Sequence, residues 1–99
     1  YNGLSVYSAT KSGLNGLTLS LARELGRTGT TVNAILPGYI KTDMTNKLSD
    51  KQLDQIVRRT PLGKLTDTDD VANIVEYLVS KKAKSVTGQL IKVDNGITV

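Results

Sequence analysis

The sequence predicts an α/β protein with a parallel sheet. Three features carry that expectation: a long helix with leucines at helical spacing, an apolar β-branched run directly after it, and a second apolar run near the C-terminus beyond two capped amphipathic helices. Leu14, Leu17, Leu21 and Leu25 follow one another at intervals of three, four and four, so Ser8 to Leu25 reads as one α-helix, stopped by Gly26 and Gly29. A second stripe on it, Ala9, Gly13, Gly16 and Ser20, is made of small residues. Each interior glycine weakens a helix by about 1 kcal/mol relative to alanine, which points to close packing against another backbone. Thr30 to Leu36 is β-branched and apolar and ends at Pro37-Gly38, the pattern of a buried strand in which Asn33 needs an internal hydrogen bond.

Tyr39 to Asn46 has no clean period. Ser49-x-x-Gln52 then forms a capping box ahead of Leu53, Ile56 and Val57, and this short helix must end before Pro61, because a residue preceding proline is pushed out of the α region. Thr66-x-x-Asp69 is the expected cap of a third helix with Val71, Ile74, Val75, Leu78 and Val79 as its apolar face, and Lys81 to Lys84 suits its C-terminal end. Gln89 to Val93 reads as the last strand, ended by a tight turn at Asp94-Asn95-Gly96. Strands that are near-continuous apolar runs, linked through helices, belong to parallel sheets. Two such strands do not make a stable sheet alone. The chain also opens on Tyr1 with a helical pattern within a few positions, so the sequence is expected to be a piece of a longer one whose other strands precede Tyr1.

Composition narrows the chemistry. The 99 residues include no Cys and no His, which removes disulfides, thiol catalysis, Cys-based metal sites and the imidazole base; no metal site is expected. Acid/base work must fall to Tyr, Lys, Asp or Glu. No apolar run approaches the roughly twenty residues that span a bilayer, so a cytoplasmic protein with no membrane partner is expected. Thirteen Lys plus Arg against nine Asp plus Glu give a net charge of +4, which favours an acidic ligand or partner without implying nucleic acid; Lys81, Lys82 and Lys84 read as a solvated loop.

Tyr7-Ser8-Ala9-Thr10-Lys11 sets a phenol and an ammonium four residues apart, one helical turn. A phenol titrates near 10 and exchanges protons poorly at neutral pH, but a cation within about 4–6 Å stabilises the phenolate and lowers that value. Tyr7 could then give a proton to a carbonyl oxygen or take one from an alcohol. On spacing alone, an ordinary surface pair stays open as the alternative.

Several motifs in order change the weight of that pair. Gly3-x-x-x-Tyr7-Ser8-Ala9-x-Lys11, Leu21-Ala22-x-Glu24-Leu25, and Val32-Asn33-x-Ile35-x-Pro37-Gly38-Tyr39-Ile40-x-Thr42-Asp43-Met44 together resemble the second half of the short-chain dehydrogenase/reductase family. Pro61-Leu62-Gly63, Asp70-Val71-Ala72, Val86-Thr87-Gly88 and Val93-Asp94-x-Gly96 extend the resemblance over essentially the whole chain. It implies the C-terminal part of a Rossmann-like doubly wound sheet, with residues 1–99 forming part of a single NAD(P)-binding domain whose glycine-rich cofactor cradle, catalytic Ser and relay Asn precede Tyr1.

The resemblance also implies roles. Tyr7 is the general acid, and Lys11 lowers its pKa while binding the nicotinamide ribose hydroxyls. Pro37 and Gly38 make the turn at the carboxyl end of a strand, where α/β sheets bind ligands. The backbone of Ile40 and the hydroxyl of Thr42 hold the nicotinamide carboxamide and the neighbouring phosphate, and Tyr39 to Arg59 is the segment that closes over substrate. Asn95 stands where the family commonly has glycine, and asparagine is the residue after glycine that best tolerates a left-handed backbone. Within the family, Pro37 to Thr45 is most similar to members that use NADPH to reduce a 3-oxoacyl group carried on an acidic acyl-carrier protein, which suits the positive charge; NAD is the alternative cofactor. Members acting on sugars, steroids or other alcohols are the second reading, and a non-catalytic module competent only for assembly is the third. The family's oligomers lead to an expected homotetramer.

Overall fold

A computed structural model describes residues 2–40 and 47–97. The chain is α/β and divides into two compact units, the first made of Tyr1–Ala34 with Ser80–Ile91, the second of Ile35–Val79 with Lys92–Val99.

In the first unit, helix α1 runs over Asn2–Leu25 and passes into a single 3-10 turn at Gly26–Thr28. It starts well before the expected Ser8, which is carried inside the helix. Gly29 closes it with φ 79, a left-handed conformation that glycine adopts without strain. The inner face differs from the leucine stripe. Thr18 and Ala22 are buried with Leu14 and Leu21 half-buried around them, whereas Leu17 is 56% exposed and Leu25 is exposed too. Threonine can occupy the inner face because its hydroxyl donates to the Leu14 carbonyl one turn back, at 2.7 Å, and needs no other partner. Alanine fits at position 22 because the Gly88 backbone comes close: a Cβ on Gly88 would lie 3.6 Å from that of Ala22.

Strand β1 covers Ala34–Pro37 and begins later than the expected Thr30. The residues before it are tied by side chains instead of a ladder. Val32 N–H donates to the Thr87 hydroxyl at 3.0 Å, and Asn33 both donates to the Val86 carbonyl and accepts from Gln89 N–H, each at 3.1 Å. These two bonds are the internal partners that a half-buried asparagine needs. Strand β2, Leu90–Val93, pairs with β1 in a two-stranded sheet. Ala34 N–H donates to Gln89 O, and Gly38 N–H to Val93 O, an equal advance along both strands, so the pairing is parallel. Between Val79 and β2, Lys81–Ala83 form a 3-10 turn that exposes Lys81, Lys82 and Lys84 and buries Ala83.

The second unit carries helices α2, Asp50–Arg59, and α3, Thr68–Leu78. The Ser49/Gln52 capping box is present in both arms, at 3.1 and 2.9 Å. Thr60 ends α2 ahead of Pro61, its hydroxyl donating to the Ile56 carbonyl at 2.6 Å. For α3 the cap is one residue later than expected: Asp67 is the N-cap, and its N–H donates to the Asp70 carboxylate at 2.9 Å. Asp67, Asp69 and Asp70 offer two overlapping cap registers, and the later one wins because Thr66 is drawn into the interior. Val71, Ile74 and Leu78 face inward, while Val75 and Val79 are exposed, which narrows the apolar face that the spacing predicts. Among the described residues, no helix is long and apolar enough to cross a membrane.

Candidate active site

Tyr7 and Lys11 lie one turn apart on α1. Lys11 is half-buried, at the head of the inner stripe that continues through Leu14, Thr18 and Ala22. A lysine on that stripe is not a member of the solvated face, and it makes no hydrogen bond or ion pair with another described residue. The helix register sets position 7 on the side of Lys11. The Tyr7 side chain and all of Thr42 lie outside the described residues.

In the second unit, Pro37-Gly38 ends β1, with Pro37 exposed and Gly38 half-buried. Gly38 is required by proximity rather than by its dihedral angles. A Cβ there would sit 2.7 Å from the Asp94 Cβ and 2.8 Å from the Asp94 Cα. The chain then turns through Tyr39 to Ile40, which forms a parallel bridge with Thr66; the Tyr39 carbonyl accepts from Thr66 N–H at 2.9 Å. Backbone groups along an extended segment point to alternate sides, so Ile40's own N–H faces away from Thr66. That N–H meets no acceptor among the described residues. A donor turned away from Thr66 at the carboxyl end of a parallel strand fits a ligand carbonyl such as a carboxamide.

The buried polar residues behind this turn, Thr66 and Asp94, were not legible as site residues. Thr66 reads as a helix cap, and nothing local in the sequence says that its partners lie at Val93 and Asn95. Asn95 has φ 55, the conformation for which asparagine best replaces glycine. A cavity of about 680 Å³ in the same unit is lined by Pro61, Lys64, Ile74, Lys92 and by Thr66, Asp94 and Asn95 themselves, and contains none of the expected site residues.

The family model described as enoyl-(acyl carrier protein) reductase matches residues 1–98. The chain belongs to the short-chain dehydrogenase/reductase family, of which it is the C-terminal part. Among curated relatives it is similar to the 3-oxoacyl-(acyl-carrier-protein) reductase of Staphylococcus epidermidis, 50% identical over 96% of this chain and 39% of that protein. It is also similar to the enzyme of the same name from Rickettsia felis, 48% identical over the same shares. The crystal structure of 3-oxoacyl-(acyl-carrier protein) reductase from Brucella melitensis superposes with a TM-score of 0.87 at 36% identity, covering 94% of this chain and 35% of that one. The chain thus spans about two fifths of the length of the curated relatives it matches.

Proposed function

We propose that the full-length protein is a cytoplasmic NADPH-dependent reductase that converts a 3-oxoacyl group on an acyl-carrier protein to the 3-hydroxyacyl form, and that residues 1–99 belong to its single Rossmann domain. The observation that carries this reading is the identity of about one half, over nearly the whole chain, to relatives bearing that enzyme's name. The family model's description names an enoyl reductase instead, but the relatives and the solved structure named above carry the 3-oxoacyl name.

Bound NADPH supplies the hydride. The chain's own part is the proton and the placement. Tyr7 donates its phenolic proton to the substrate's ketone oxygen, so one hydride and one proton turn the carbonyl into an alcohol. Lys11 holds the ribose hydroxyls and favours the phenolate left on Tyr7. The N–H of Ile40 and the Thr42 hydroxyl hold the carboxamide end, with Pro37 and Gly38 setting the turn that presents them. The net charge of +4 favours approach of an acidic carrier.

The test is NADPH oxidation by the full-length protein with a 3-oxoacyl thioester, a 2-enoyl thioester and simple ketones, each repeated with NADH. Fastest turnover on the 3-oxoacyl substrate with NADPH is expected. Preference for the enoyl thioester, or for a ketone bearing no acyl chain, overturns the substrate assignment.

Assembly as a homotetramer is part of the proposal. Gly13 and Gly16 lie on the outer side of α1, where a Cβ on either would meet nothing within 4 Å, and Leu17 beside them is exposed. The close backbone contact expected of this small-residue stripe is therefore absent among the described residues, and a second copy is its proposed partner. Gly16→Leu is expected to shift the sedimentation profile towards smaller species, because a large side chain cannot fit where two backbones nearly touch. An unchanged profile removes this account of the stripe.

A further inference from the structure

The turn Gly38 to Ile40 is held from behind by a small polar junction whose members have no role in the reading above. Thr66 is 1% exposed, as deeply buried as Ala83, although it is polar. Its hydroxyl is used in both directions: it donates to the Val93 carbonyl at 3.3 Å and accepts from Asn95 Nδ2 at 3.1 Å. The same Val93 carbonyl accepts Gly38 N–H at 3.0 Å, and Thr66 N–H binds the Tyr39 carbonyl. One threonine therefore touches both sides of the turn's support, the end of β2 and the turn itself.

Asn95 completes the junction. It is the one non-glycine residue with positive φ among those described, and its backbone carbonyl accepts Leu62 N–H at 3.1 Å while the Asp94 carboxylate accepts Gly96 N–H at 2.9 Å. A glycine would take the same backbone conformation but could not reach the Thr66 hydroxyl. Asparagine both tolerates the conformation and supplies the donor.

We propose that Thr66 and Asn95 are positioning residues for cofactor binding: their hydrogen bond fixes the Gly38 to Ile40 turn so that the Ile40 N–H keeps its direction, away from Thr66, before the cofactor arrives. The inference rests on the cofactor reading above. With the turn already ordered, binding need not freeze it. Without the bond, the turn samples other states and affinity falls by the fraction in which the N–H is misdirected.

The experiment compares wild type, Asn95→Gly, Thr66→Val and Thr66→Ser in the full-length protein. It measures NADPH affinity by fluorescence titration, KM and kcat separately, and amide hydrogen exchange at Gly38 and Thr66. Asn95→Gly keeps the left-handed backbone and Thr66→Val keeps the β-branched shape, so both are expected to fold. Each is expected to weaken NADPH binding about tenfold, the size of one net hydrogen bond, with KM rising by a similar factor and kcat changing less. Exchange at Gly38 and Thr66 should quicken, and Thr66→Ser, which retains the hydroxyl, should restore affinity to near wild type. Faster exchange with unchanged NADPH affinity would make the junction purely structural and overturn the proposal. Absence of NADPH binding by wild type would overturn the cofactor reading itself, and this proposal with it.

Discussion

Tyr7→Phe in the full-length protein is expected to lower kcat by about 10²–10⁴, the usual worth of general acid catalysis, equivalent to roughly 3–5 kcal/mol of transition-state stabilisation. The substitution removes one oxygen and leaves the ring, so α1 should keep its packing and NADPH affinity should stay near wild type. Only the proton for the product alkoxide is lost, and water must supply it. Lys11→Met is the informative partner. Lys11 is assigned both the ribose hydroxyls and the electrostatic support of the phenolate, so its loss should lower kcat and weaken NADPH binding together. The half-buried place of Lys11 on the inner stripe of α1 makes methionine a fair replacement for its stem. Single-turnover measurements with deuterated NADPH establish whether hydride transfer limits the rate. If it does, and Tyr7→Phe keeps more than about a tenth of wild-type kcat, Tyr7 is not the general acid, whatever the family.

What could be read from the sequence was whatever is decided within a few residues. The Ser49/Gln52 box and the stop before Pro61 follow from local backbone chemistry, the left-handed Asn95 from the resemblance together with asparagine's tolerance of that conformation, and each stands in the structure. The parallel order of β1 and β2 also follows, since near-continuous apolar strands linked through helices are the pattern of parallel sheets. Burial is set by partners distant in the chain and was less legible. Thr18 rather than Leu17 lies on the inner face of α1, because a threonine can satisfy its hydroxyl on its own helix and a neighbouring backbone favours small residues there. Thr66 is the sharpest case. Its sequence neighbours make it look like a helix cap, while its burial comes from Tyr39, Val93 and Asn95, none of which lies near it in sequence. For the candidate site, the Tyr7 and Lys11 spacing alone is ambiguous, and only the succession of family motifs gives it a chemical meaning.

Gly38→Ala should have the largest effect on stability of any single-methyl change at the site. The added Cβ meets the Cβ and Cα of Asp94 at 2.7 and 2.8 Å, well inside contact distance, and the Thr66 hydroxyl at 3.3 Å. Neither Asp94 atom can swing aside, because both belong to the chain at the end of β2, directly after the Val93 carbonyl that accepts Gly38 N–H. Relief therefore requires β1 and the end of β2 to move apart, at the expense of that bond and of the Thr66 junction. Overpacking of this kind costs about 1–3 kcal/mol, which lowers the urea midpoint of the full-length protein at fixed concentration. NADPH affinity should fall with it, as the turn carrying Ile40 is displaced. Gly26→Ala is the control. A Cβ at Gly26 meets nothing within 4 Å and its φ is not positive, so the same change should leave stability unchanged or raise it by about 0.4–1 kcal/mol by restricting the unfolded chain. Equal midpoints for the two variants would mean that the approach of Gly38 to Asp94 is looser in solution than these distances, and that glycine at this turn serves some purpose other than room for the strand beside it.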